Sequence, residues 1–138
     1  MNTRQIDRAV RRHVHDFDGV FASDELPSQP RLFVANTRPS TEGGEHWIVI
    51  HVDDSGKGCY FDSFGRNPPA LFKQYLNKHC NRWTFNDKQF QSAVSIFCVE
   101  YCVCYCVLKS RGVDLCGLLS RDSGLNDAIV HEIVCRLL

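Results

Sequence analysis

Four residues, His46, Asp62, Gln91 and Cys98, supply in chain order the side-chain types that thiol-based acyl transfer requires. That chemistry needs a thiolate, a base to generate it, a group to orient the base, and donors for the oxyanion that forms when the thiolate attacks a carbonyl. Cys98 enters the apolar run SIFCVEYCVCYCVLK, at or near the start of the helix this run predicts. There, unpaired amides and the positive end of the helix dipole favour a thiolate. His46 carries an imidazole, which ordinarily titrates at about 6.5, and can take the thiol proton and return it to an amine leaving group. Asp62 would hold the imidazole in the right tautomer. Gln91, in the stretch before the helix, would offer its side-chain amide beside the backbone amide of Cys98.

Each residue also has a plainer reading. A cysteine in an apolar run is most often a small core residue, the role expected for Cys102, Cys104 and Cys106 just downstream. A histidine can simply begin a strand, an aspartate can close a turn, and a glutamine can sit at the surface. The combination is more demanding than its parts, because it needs a histidine and an acid on neighbouring strands, then a glutamine, then a cysteine at a helix start.

The periodicities supply elements that would position these groups. The opening residues predict an amphipathic helix in which Arg4, Arg8, Arg11, Arg12 and His15 share one face, at about 100° per residue, while Ile6, Val10, Val14 and Phe17 line the other. DGVFASDELPSQP is rich in turn formers and reads as an ordered loop leading into a strand near RLFVAN, followed by the polar connection TRPSTEGG. HWIVIHV and CYFDSF, joined by the turn DDSGKG, predict a hairpin. Antiparallel pairing then places His46, at the start of one strand, close to Asp62, near the end of its partner. NPPALFKQYLNKHC should be a helix that opens on its prolines, and RWTFN a short strand. From about Ser95 to Lys109 the chain is apolar almost all round, as a buried central helix would be, with a stop at Gly112. A last amphipathic helix is expected from about Asn126 to the end, with Asn126 or Asp127 as cap and Ile129, Ile133, Val134 and Leu137 facing inward. His51, His79 and His131 have no partner nameable from the sequence and read as structural.

Composition narrows the function classes. A chain of 138 residues, 43% hydrophobic and 23% charged, predicts one domain spanning 1–138. No run approaches the roughly 18 apolar residues of a membrane helix, and the opening MNTRQIDRAVRRHVHDF is charged, so the expectation is a soluble, intracellular protein that is not secreted and does not enter membranes. The eight cysteines then read as free thiols rather than a disulfide scaffold. Cys98-x3-Cys102-x-Cys104-x-Cys106 lacks a C-x2-C knuckle and fans around a helix, so no metal is expected. A formal net charge of zero argues against a wholly electrostatic nucleic-acid binder. The arginine stripe reads first as a solvated helix face and second as a set of phosphate contacts.

HW opening a strand, FDSFG about sixteen residues on, and Q-x6-C entering an apolar helix resemble the adenain family, the cysteine proteases of adenoviruses and of the virus-like Polinton (Maverick) elements. FDGVFASDELP and RLFVANTRPS resemble the Polinton and adintovirus branch, and the likeness runs from about Phe17 to Leu108. It implies an α+β, adenain-like fold of the papain-like/Ulp1-like group, with a small mixed β-sheet packed against helices and a buried central helix bearing the nucleophile. It implies His46 as base, Asp62 as orienting acid, Gln91 as oxyanion donor and Cys98 as nucleophile, with Trp47 packed beside the imidazole. The activity implied is that of a cysteine endopeptidase cutting virion precursor proteins, often after small residues such as glycine.

The sequence itself requires no cofactor. The resemblance adds DNA and a short, disulfide-linked viral peptide as activators, with Arg4, Arg8, Arg11 and Arg12 as the DNA face and Cys80 as the peptide-linking cysteine. It also implies a monomer located in the host nucleus and the virion. Val99 departs from the family pattern, which has glycine after the nucleophile, and its β-branched side chain would crowd the substrate or tilt the oxyanion amide. Two other readings stay open: a protease acting on ubiquitin-like proteins, which shares the His-Trp, Asp, Gln, Cys order, and a catalytically inactive relative that binds DNA or a capsid protein.

Overall fold

The β-branched and aromatic segments pair into a five-stranded mixed sheet, in the order β1-β2-β3-β4-β5, seen in a computed structural model that describes residues 1–38, 46–93 and 96–138. The strands are β1 Gly19–Phe21, β2 Leu32–Asn36, β3 Trp47–Val52, β4 Lys57–Phe61 and β5 Arg82–Phe85. β2, β3 and β4 run antiparallel, and β1 and β5 add to the two edges in parallel. Successive side chains on a strand point to opposite faces, so the five buried residues of β2 require both faces of the sheet to be covered.

Among the described residues five helices provide the cover: α1 Thr3–Arg11, α2 Ala70–His79, α3 Cys98–Ser110, α4 Leu115–Leu118 and α5 Ser123–Leu137. Val34, Val49 and Phe61 belong to the core beneath α3, α1 and α5, and Phe33, Ile48, Ile50 and Tyr60 to the core beneath α2, with Phe72 and Leu76. The residues from Tyr101 to Val107 of α3 are all buried, which explains why this helix has no polar face. The fold is thus the α+β arrangement expected, a small mixed sheet with helices on both sides and a buried helix that begins at Cys98.

The hairpin turn forms for a local reason: Asp53 Oδ1 accepts from the backbone amides of Ser55 and Lys57, at 2.9 and 3.0 Å, and Gly56 takes a φ of 84° that favours glycine. Elsewhere three expectations are corrected. The first helix stops at Arg11, so Val14 and Phe17 reach the core from the chain beyond it, and His15 is not on a helical face. DGVFASDELPSQP contains a strand, β1, aligned through Asp18, whose Oδ2 accepts from the amides of Arg31 and Leu32 at 2.7 and 3.1 Å. The last helix begins at Ser123, capped by Asp122, whose side chain accepts from the Leu125 amide, so Asn126 and Asp127 are buried inside the helix and are not its cap. The short α4, capped by Asp114, had no periodic signal to reveal it. Most of the TRPSTEGG connection, residues 39–45, lies outside the described residues. No helix among the described residues is long and apolar enough to cross a membrane.

Candidate active site

His46 immediately precedes β3 and Asp62 immediately follows β4, so the antiparallel register that pairs Val49 with Phe61 brings the two side chains together at one end of the hairpin. His46 Nε2 lies 2.9 Å from Asp62 Oδ1, with the imidazole only 15% and the carboxylate 3% exposed. The carboxylate is held independently of the histidine. Its Oδ1 also accepts from the Phe64 amide at 2.8 Å, while Asn86 clamps the Asp62 backbone, accepting from its N–H at 2.9 Å and donating to its carbonyl at 2.5 Å. With Nε2–H donating to Asp62, Nδ1 is the nitrogen left to act as a base. The imidazole is also hydrogen-bonded to the Cys98 thiol.

Burial by itself would lower the affinity of His46 for a proton. The hydrogen bonds to Asp62 and Cys98, with the charges of both, outweigh that effect and push its pKa up from 6.5 to about 9. The site therefore favours a proton on the imidazole at neutral pH. Cys98 is the first residue of α3, and its N-cap, Phe97, makes no side-chain capping bond to the first-turn amides. Three further cysteines follow on the same helix: burial pushes the Cys104 thiol up to about 12, and those of Cys102 and Cys106 are also raised by burial. These are core thiols, as expected. Val99 packs against the core beneath α3, so its side chain finds apolar partners on the helix's inner side.

Gln91 is fully buried. Ser63 donates its hydroxyl to Gln91 Oε1 at 2.6 Å, and the Ser63 carbonyl accepts from the amides of Phe90 and Gln91 at 2.9 and 3.0 Å. These bonds tie Gln91 to the residue next to Asp62 and direct its NH2 end away from Ser63. The loop is also gripped from α5: Asn126 Nδ2 donates to the Phe90 carbonyl at 3.1 Å, and Asp127 Oδ1 accepts from the Ser92 amide at 3.3 Å and from the Tyr101 hydroxyl at 2.8 Å. Sequence reasoning missed Ser63, Asn86, Asn126 and Asp127. The ring against His46 is Phe64, at 5.3 Å between centroids, with the Arg66 guanidinium 5.0 Å above Phe64, whereas Trp47 packs on the α3 core.

The remaining candidates lie apart from this cluster. Arg4 and Arg8 are exposed on α1, and Arg12 is exposed at its C-cap, just past the last helical residue. Arg11 is committed to the fold, pairing with Asp7 at 3.0 Å and donating to the carbonyls of Phe17 and Asp18 at 2.9 and 3.3 Å. Cys80 caps the end of α2, where its Sγ lies so near β4 that a Cβ on Gly58 would stand 2.5 Å from it, and burial raises its pKa. It packs with the α2 core, whereas Cys98 opens the helix above the other one. Among the described residues no cluster of metal-ligating side chains forms.

A thiol, an imidazole and a buried carboxylate thus meet where a mixed sheet faces the first turn of a buried helix, on the fold of the Ulp1-like cysteine proteases. The ASFV pS273R protease matches with a TM-score of 0.53 and 24% identity over 75% of this chain, which spans only 43% of that protein's length. The SUMO protease Ulp1, in a structure with its catalytic cysteine oxidised to a sulfinic acid, matches 99% of this chain and 78% of its own at 13% identity and a TM-score of 0.50. The central domain of an uncharacterized protein from Legionella pneumophila matches 99% of this chain and 97% of its own, at 11% identity and a TM-score of 0.57. No family model matches the chain, and no curated protein matches it.

Proposed function

We propose that this chain is a cysteine endopeptidase in which Cys98, His46 and Asp62 act as nucleophile, base and orienting acid. The observation that carries the reading is the His46 imidazole, hydrogen-bonded at once to a buried carboxylate 2.9 Å away and to a thiol at a helix N-terminus. The thiolate adds to a peptide carbonyl, and the imidazolium protonates the departing amine as the C–N bond breaks. Water, deprotonated by the imidazole, then adds to the thioester and releases the acid as the C–S bond breaks. Gln91 and the Cys98 amide stabilise the oxyanion in both additions. Replacing Gln91 with alanine should lower kcat/KM by roughly 10²–10³-fold, whereas Ser63→Ala, which only frees the amide to rotate, should cost about tenfold or less. Steady-state kinetics on a peptide substrate separates the two.

The raised imidazole pKa sets the pH behaviour. The His46 imidazolium gives up its proton near pH 9, so kcat/KM should fall as pH rises through that value. In Asp62→Asn the alkaline limb should move down towards the ordinary histidine value of about 6.5. Stability follows the same sign. Because His46 binds its proton more tightly folded than unfolded, its contribution is complete below 6.5 and is lost as pH rises through about 9. Thermal melts across that window should show a loss with rising pH that Asp62→Asn reduces.

For the substrate, we infer a viral structural precursor cut after a small residue. The sequence resemblance to the adenain family and a viral protease among the structural neighbours support this reading. DNA would act through Arg4, Arg8 and Arg12, with Arg11 bracing the helix, and an activating peptide would join at Cys80. A second reading, cleavage of ubiquitin-like fusions, is favoured by the extent of the Ulp1 match, 99% of this chain. Incubating the chain with a Gly-containing capsid-type peptide and with a ubiquitin-like fusion decides between them. Turnover of the peptide alone, lost in Cys98→Ala, supports the first reading, and turnover of the fusion alone replaces it with the second.

A further inference from the structure

A second thiol, imidazole and carboxylate meet outside the candidate active site. On α5, His131 and Cys135 are four residues apart and share a face, with Cys135 Sγ 3.6 Å from His131 Nε2. The other ring nitrogen, Nδ1, lies 2.8 Å from Glu100 Oε2, a carboxylate in the first turn of α3. The His131 ring is further fixed by stacking on Phe97, with centroids 5.4 Å apart and planes at 21°. Carboxylate, oriented imidazole and thiol thus run in sequence, as in a nucleophile relay. What differs is the setting: Cys135 is exposed, the imidazole is 53% exposed, and the thiol lies in the last turn of its helix, the end whose dipole disfavours an anion. Any activation of this thiol must come from His131, because the helix works against it. The neighbouring charges on α5, Arg136 and Glu132, are paired with each other at 2.9 Å.

We propose that Cys135 is a thiol–disulfide exchange site, served by His131 and Glu100, that takes small-molecule disulfides in solution. His131 accepts the thiol proton, the thiolate attacks one sulfur of the incoming disulfide, and a new S–S bond forms at Cys135 as the old one breaks. The expelled thiolate recovers the proton from His131, so one disulfide is consumed and another formed without net oxidation. Cys80 and Cys116 are poorer sites, since burial raises both thiols, Cys116 to about 12. An exposed position with no base beside it would react only through the small fraction of thiolate that an ordinary cysteine carries at neutral pH.

The test uses the full chain carrying Cys98→Ala, so that the candidate nucleophile is silent and the outcome does not depend on the peptidase reading. It is incubated with oxidised glutathione at pH 7, and the adducts are mapped by mass spectrometry over time. Glutathione should appear first on Cys135, about tenfold faster than on the same cysteine in the urea-unfolded chain. His131→Ala should remove most of that gain, and Glu100→Gln should reduce it about threefold, with folding of each variant checked by circular dichroism. Removing the imidazole can only leave the thiol as exposed or more so, and exposure alone therefore predicts an unchanged or faster rate in His131→Ala. That result, or a native rate equal to the unfolded one, overturns the proposal.

Discussion

Replacing His46 with alanine should lower peptide hydrolysis at pH 7 by about 10⁴-fold or more, close to the effect of removing the Cys98 sulfur, because groups that act as one unit do not contribute additively. Without the imidazole the thiol loses the base hydrogen-bonded to it, and Asp62, buried and accepting from the Phe64 amide, is left beside a cavity. Asp62→Asn should cost less, since the tautomer is disturbed while the base remains. The double variant His46→Ala with Cys98→Ala should be no slower than either single one. A double variant slower than both singles by the product of their effects would mean that the two side chains act separately, contrary to the geometry of one hydrogen-bonded unit.

The second large effect should come from a residue that touches none of the reacting atoms. Asn126 is fully buried in α5 and makes a closed set of bonds: Nδ2 donates to the carbonyls of Phe90 and Ser120, at 3.1 and 2.8 Å, and Oδ1 accepts from the Ser120 amide at 2.9 Å. Asn126→Ala removes all three bonds: the buried Phe90 carbonyl keeps only the Tyr101 hydroxyl, at 3.3 Å, while the groups of Ser120, an exposed residue, turn to water. At roughly 1–3 kcal/mol for truncating one buried hydrogen-bonded group the variant should lose about 2 kcal/mol, visible as a fall of about 6 °C in Tm. Since the Phe90 carbonyl lies in the loop that carries Gln91, kcat should drop as well, even at temperatures where the variant is fully folded. A variant that lost stability but kept full kcat when folded would show that Asn126 braces the helix alone.

Those two residues mark the boundary of what could be read from the sequence. His46 and Asp62 were legible together because a hairpin with an obvious turn leaves little choice of register, and register puts the ends of its strands side by side. Cys98 was legible through the long apolar helix it opens, and the buried thiols of Cys102, Cys104 and Cys106 follow from the same pattern. Asn126 and Asp127 were mistaken for caps because polar residues before an apolar stretch usually are caps. Their actual partners lie across the core, 36 residues away for the Phe90 carbonyl and 35 for the Ser92 amide, and no local pattern encodes that distance. Asn86, which holds Asp62 from 24 residues away, was hidden for the same reason. β1 was hidden in a turn-rich loop because three residues on a parallel edge need little propensity once β2 is in place. His131 looked structural because its acid belongs to a different helix.

The central claim is that His46 activates Cys98, and labelling tests it most directly. The native chain is treated at pH 7 with a peptide-length, carbonyl-bearing electrophile, which needs a cleft and an oxyanion site as well as a thiolate, and the modified cysteines are mapped by mass spectrometry in the wild type and in His46→Ala. Cys98 alone should be modified rapidly, at a rate that falls at least about a hundredfold in the variant. Slow labelling spread over Cys98, Cys135 and the half-buried cysteines, at rates that His46→Ala leaves unchanged, would contradict it.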